Sequence, residues 1–162
     1  MNLYSNKEQQ AALEELKSFI ELRADVCLGR GWSYFSTNKA PESFKALKER
    51  TLNKHIPIAD YGSDTSIYGS KKINTLFRFW HDVTHIELNQ GFSKAGEYAV
   101  IEQHLKEAKE AGLSSLAQYI LDIDTRGQVD YYFRHKEFVV TQDAFLDTCL
   151  KHGITKAIKV KH

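Results

Sequence analysis

The chain has 162 residues, 22 lysines plus arginines against 21 aspartates plus glutamates, and a formal net charge of +1. That balance removes any bulk electrostatic drive toward nucleic acid or an anionic membrane surface, and the length suits a single globular domain, 1–162, around one core. Two cysteines, Cys27 and Cys149, are too few for a disulfide scaffold and form no Cys-x-x-Cys pair, so a reducing cytoplasm is the expected compartment.

Met1 to Lys7 lacks the apolar core of a signal peptide, and no run reaches the roughly 20 apolar residues of a membrane span, so a soluble protein is expected. Ser5-Asn6-Lys7-Glu8 reads as a capping box ahead of Ala12, Leu13, Leu16, Phe19 and Ile20 at helical spacing, which predicts a first helix closing near Gly29-Arg30-Gly31. Pro41 at a first-turn position opens a shorter second helix carrying Phe44 and Leu47. Asn53 to Ser70 mixes Pro57, Gly62 and Gly69 with Ile56, Ile58, Tyr61, Ile67 and Tyr68. So many large apolar side chains predict an ordered loop or small β-hairpin between helices 2 and 3, with Asp60, Tyr61, Asp64 and Tyr68 lining a pocket or packed beneath it.

A third helix runs from about Lys72 to Gln90 and stops at Gly91; Ser93 caps a fourth, which carries Glu97, Tyr98, Ile101, His104 and Leu105 to Gly112. The short connection predicts an antiparallel helical hairpin. A fifth helix starts at Ser114 or Ser115 and continues through Gly127 toward Tyr132 and His135, and a sixth, capped by Thr141, ends at Gly153. Lys151, Lys156, Lys159 and Lys161 then accumulate around Ile154, Ile158 and Val160 as a short solvated strand or tail. The fold class is therefore mainly α: a compact bundle of about six helices around a central antiparallel hairpin.

The chemistry concentrates in Phe79-Trp80-His81-Asp82-Val83-Thr84-His85. Histidines four apart leave one face of a helix, so both imidazoles converge on a common point. Glu97 follows the hairpin turn by about as many residues as His85 precedes it, so at about 1.5 Å of rise per residue the two meet at one height, with His81 one turn further. His104 lies roughly 10 Å beyond Glu97 along the axis, too far to share its ion directly. The expected ligands are His81, His85 and Glu97, holding a divalent zinc, iron or manganese ion with positions left open for water or substrate. Asp82 then moves a proton, His104 serves as substitute ligand, supporting group or acid/base, and Arg78 pairs with Glu97 or Asp82 or clamps a substrate anion. Asp122, Asp124 and Asp130 supply further carboxylates on the fifth helix, Asp124 beside apolar Ile123 in a solvated position.

His81-Asp82-Val83-Thr84-His85 resembles the His-Glu-x-x-His motif of zinc proteases, which implies Asp82, one methylene shorter than glutamate, in the general-base place and Glu97 as a downstream ligand. The His81-Asp82 pair, with apolar residues before it and His55 upstream, also resembles the HD phosphohydrolases, which implies ligands from separate helices with Asp122 or Asp124 as the later aspartate. The function that joins these readings is a metal-dependent hydrolase of an anionic small molecule, phosphorylated or nucleotide-like. Two alternatives stand beside it. One places iron on the same ligands for oxygen chemistry; the other is a non-enzymatic interaction or inhibitor protein in which Asp82, Glu97, Arg78 and the histidines form a buried structural network. Homo-oligomer formation stays open. Tyr131, Tyr132, Phe133 and His135 read as a core aromatic cluster, and Cys149 near His152 as a chance helical spacing.

Overall fold

The computed structural model describes residues 4–162; Met1 to Leu3, part of the segment read for a leader peptide, lie outside the described residues. In chain order the elements are α1 (Asn6–Gly29), β1 (Ser33–Thr37), α2 (Phe44–Arg50), β2 (His55–Ala59), α3 (Lys71–Leu88), α4 (Lys94–Glu110), α5 (Ser115–Asp122), a π-helical segment (Ile123–Gly127), α6 (Gln128–His135), α7 (Gln142–His152) and α8 (Ile154–Ala157). Among the described residues, no helix is long and apolar enough to cross a membrane.

The mainly helical bundle expected from periodicity is present, and α3 and α4 form its central antiparallel hairpin. The capping box closes on α1, with Glu8 N–H donating to the Ser5 hydroxyl and Ser5 N–H to the Glu8 carboxylate. α1 lays Leu16, Phe19 and Ile20 against Phe79, Trp80 and Val83 of α3, all buried, with Phe19 meeting Trp80 edge-on at 5.5 Å between ring centroids. Burying side chains of this size stabilises by about 1.5–3 kcal/mol each before entropy is charged against it.

The small sheet differs from the expected hairpin. β1 and β2 pair in parallel, from Ser33 opposite His55 to Thr37 opposite Ala59, with α2 crossing between them. Parallel strands need a long crossover, and α2, capped by Ser43 with Pro41 outside the helix, supplies it. Pro57 is tolerated because a two-stranded sheet has only edge strands, where a missing N–H leaves no ladder broken. Ile56 and Ile58 are buried, and β2 thereby packs the sheet on α3.

At the other end the lysine-rich tail is neither a strand nor free. α8 and the residues after it fold back, His162 N–H donates to the Tyr131 hydroxyl, Val140 N–H donates to the His162 carbonyl, and Lys161 pairs with Glu137. α5, the π segment and α6 form one continuous helix, as the run through Gly127 suggested, but with one turn widened.

The α3–α4 turn brings two backbone segments into close approach. α3 ends at Asn89, whose φ of 50° is the left-handed closure, not at Gly91. Gln90 N–H donates to the His85 carbonyl and Asn89 N–H to that of Ile86, a Schellman pattern. Gly91 then passes so close to Gly96, in the first turn of α4, that a Cβ on Gly96 would sit 2.0 Å from the Gly91 carbonyl oxygen. Gly96→Ala is therefore expected to destabilise by about 2–4 kcal/mol, a fall of roughly 5–15 °C in Tm for a chain of this size. Gly29→Ala, whose Cβ would meet nothing within 4 Å, should leave Tm unchanged or slightly raised. Thermal unfolding of the two variants checks both expectations.

Candidate metal centre

The closing turn of α3 also sets the first functional contact. Gln90 is held beyond the helix end, and its carbonyl oxygen lies 2.7 Å from His85 Nδ1, so that nitrogen carries the proton and donates. His85 Nε2 is thereby turned inward. It stands 3.1 Å from His81 Nε2 and 3.1 Å from Glu97 Oε2, and His81 Nε2 stands 3.2 Å from the same Glu97 oxygen. Three potential ligand atoms thus form a nearly equilateral triangle. An ion about 2.0–2.1 Å from each of three ligands spaces them about 3.3 Å apart in a tetrahedron and about 2.9 Å apart on one octahedral face. The observed edges fall between the two.

The supports of the triangle are helical. Ser93 caps α4 by accepting from Gly96 N–H, which puts Glu97 in the first turn, where the helix dipole favours a carboxylate. His81 uses its second nitrogen on His104, Nδ1 to Nε2 at 3.0 Å. His104 is fully buried against the Trp80 ring, 3.8 Å between centroids, and its own Nδ1 has no partner. Further along the hairpin, Glu107 accepts from Trp80 Nε1 and Gln103 Nε2 and pairs with Arg23 at 3.0 Å, which ties α1, α3 and α4 together. Phe77 stacks on His81, and Phe44 and Phe92 stand beside His85, so the triangle lies in an aromatic, low-dielectric wall.

Burial works against ionising Glu97, but hydrogen bonds and charge attraction from His81 and His85 outweigh it and hold the carboxyl at about 2. Burial likewise opposes the charged form of His85, while the Glu97 carboxylate and the Gln90 carbonyl raise its pKa above the ordinary value. His104 goes the other way: burial first, then His81, His85 and Arg23, keep it neutral well below the ordinary histidine range. Burial also raises Asp82.

The triangle opens on a cleft of about 1250 Å³. His81, Asp82 and Glu97 line it from the hairpin, Asp124, Thr125 and Gln128 from the continuous α5–α6 helix, and Tyr132, Phe133 and Phe138 add aromatic surface. His85, fully buried, stands behind. Lys39 and Arg50 line the cleft from the segment around α2, and no ion pair is made by either among the described residues.

The expected residues separate as follows. His81, His85 and Glu97 come together, and His104 reaches His81 from the side away from the triangle. Asp82 faces the cleft with no hydrogen bond to another side chain or backbone group among the described residues. The Arg78 guanidinium donates to the backbone carbonyls of Ala59, Tyr61 and Gly62, which anchors the loop after β2 to α3, and its charge acts on Asp82 without a direct ion pair among the described residues. His55, required by the HD resemblance, lies exposed on β2 against Ser33 and Phe35. Asp122 pairs with Arg126, and Asp130 with Tyr98 and Lys94. Asp60, Tyr61 and Asp64 line a smaller groove of about 440 Å³. Tyr68 is buried and donates to Asp124, which is hydrogen-bonded in the cleft and not solvated. Asp124 is the residue that periodicity undervalued; alternation with Ile123 argued for solvent, and the burial of Ile123 and Thr125 on either side follows from packing.

The electrostatics predict a stability profile for chelator-treated protein. Glu97, with a lowered pKa, contributes above the unfolded carboxyl value of 4.5 and loses the contribution as pH falls toward 2. His85, with a raised pKa, contributes below its unfolded value of 6.5 and loses it as pH rises through the folded value. The stability difference between wild type and Glu97→Gln should therefore be greatest between about pH 4.5 and 6.5, of order 1–3 kcal/mol, and shrink on both sides. Urea titrations across pH measure it, and a flat difference would contradict the pairing. Compared with models of known protein families, curated protein sequences and solved structures, the chain matches none of them.

Proposed function

We propose that the protein is a metal-dependent hydrolase of an anionic small molecule, phosphorylated or nucleotide-like, with a divalent ion held by His81, His85 and Glu97. One observation carries the metal: the Gln90 carbonyl commits the His85 proton to Nδ1, so a neutral His85 aims a bare lone pair at a carboxylate oxygen and at a second imidazole nitrogen, all within 3.2 Å. Lone pairs this close repel unless a cation or a shared ring proton sits among them. A proton on His85, whose pKa is raised above the ordinary value, answers this in the metal-free protein, and a divalent ion held by the same three residues would answer it in the loaded one.

When bound, the ion supplies positive charge that acidifies a water and polarises a phosphoryl or acyl oxygen. The remaining work belongs to the side chains. Asp82 makes no side-chain hydrogen bond among the described residues, faces the cleft beside His81, and has a pKa raised by burial, which suits it to take the proton of the attacking water. His104 shares a hydrogen bond between its Nε2 and His81 Nδ1 and so holds the ring with His81 Nε2 toward the triangle. Lys39 offers an anion a charge not spent elsewhere, and Tyr132 and Phe133 offer a ring or base a stacking surface. The triangle's edges fit an octahedral face as well, which favours a second reading, a mononuclear ferrous oxygenase; turnover that consumes oxygen in place of water distinguishes it.

Elemental mass spectrometry of untagged protein should find close to one zinc, manganese or iron per chain, lost in His81→Ala/His85→Ala. Asp82→Asn should keep the metal yet slow hydrolysis of a nucleotide and aryl-phosphate panel at least 100-fold. A wild type that is empty and also refuses added zinc, manganese and ferrous iron would sink the metal assignment and leave the cluster as the structural network of an interaction protein.

A further inference from the structure

Three aspartates lie on the continuous helix formed by α5, the π segment and α6, and two of them have cationic partners: Asp122 has Arg126, and Asp130 has Lys94. Asp124 has none. Its Oδ2 accepts from the Tyr68 hydroxyl at 2.7 Å and its Oδ1 from Gln128 Nε2 at 2.7 Å, both neutral donors. The widened π turn makes this placement. Ile123 and Thr125 on either side are buried, Thr125 ties its hydroxyl back to the Leu121 carbonyl at 2.7 Å, and Asp124 between them lines the cleft shared with His81, Asp82 and Glu97. π turns of this kind recur where a helix presents a functional side chain. Each carboxyl oxygen retains one lone-pair site after these bonds, enough for a proton.

We infer that Asp124 is the general acid of this cleft, giving its proton to the leaving group, with Tyr68 as the residue that positions it. The assignment rests on the hydrolase reading. In the step, the oxygen of a water forms a bond to the phosphorus or acyl carbon while Asp82 takes the water's proton. The bond to the leaving oxygen breaks with its electron pair going to that oxygen, which takes the proton of Asp124. One carboxyl has gained a proton and the other has lost one, and exchange with solvent restores both. Burial supports this role: it outweighs the hydrogen bonds from Tyr68 and Gln128 and raises the Asp124 carboxyl to about 7, where an acid is half-charged at neutral pH.

Carbon-13 NMR titration of metal-free protein, with Asp124→Asn to assign the signal, is expected to show this carboxyl changing near neutrality; a midpoint in the ordinary aspartate range overturns the assignment without using activity. In the metal-loaded enzyme, Asp124→Asn should lose at least ten times more rate on phenyl phosphate, whose leaving group needs the proton, than on p-nitrophenyl phosphate, whose leaving group does not. Equal losses overturn the acid role. Should Asp124→Asn not fold, Tyr68→Phe keeps the carboxyl, removes a bond that favours its charged form, and should move the alkaline limb of the rate profile to higher pH; an unmoved limb overturns the positioning. A wild type that hydrolyses neither ester overturns the hydrolase reading and the acid role together, whereas hydrolysis with equal losses removes the acid role alone.

Discussion

The contact on which the site depends contains no functional group. Gly91 and Gly96 meet backbone to backbone, closer than any side chain permits, and that approach sets the start of α4 against the end of α3. With the two helices docked at this distance, Glu97 stands opposite His85 and His81, while His104 and Glu107 meet His81 and Trp80 further along. The Schellman closure adds the second constraint, because the turn that ends α3 also delivers the Gln90 carbonyl to His85. A helix terminus and a site support are therefore the same few atoms.

The electrostatics of the hairpin follow from what each imidazole can reach. His85 touches a carboxylate and a carbonyl, so burial does not prevent it from favouring charge; His104 meets another histidine and the rings of Trp80 and Phe77, none of them anionic, so burial keeps it neutral. Two buried histidines less than two helical turns apart along the hairpin thus take opposite protonation behaviour from their partners alone. A neutral His104 adds no positive charge beside His81, which preserves the room for a cation at the triangle.

Much of this arrangement could be read from the chain because it is local. The capping serines, the histidine spacing and the rise per residue of a helix placed His85 and Glu97 at one height, with His81 one turn further and within reach, without knowledge of any tertiary contact. What escaped was non-local. β1 exists only because β2 returns to it across α2, and neither strand is long enough to announce itself. Arg78 chose backbone carbonyls, which every residue offers and no sequence distinguishes. Gly96 is a helical glycine whose missing Cβ is the condition for the hairpin, a role that only the docking of Gly91 reveals. Asp124 looked solvated because the widened turn that aims it into the cleft follows from packing, with Gly127 admitting Phe145 at 3.3 Å from where a Cβ would stand.

That widened turn also acts as a phase shifter. One residue more than a regular turn holds rotates everything after it by about 100° around the helix axis relative to everything before. α5 can then bury Ala117, Ile120 and Leu121 in the core while α6, on the same axis, presents Gln128 and Tyr132 to the cleft. A single-residue deletion within Ile123–Gly127 would turn the helix beyond it by about 100° and carry Gln128 and Tyr132 away from the cleft. The length of this segment is thus as much a part of the cleft's design as the identity of its residues.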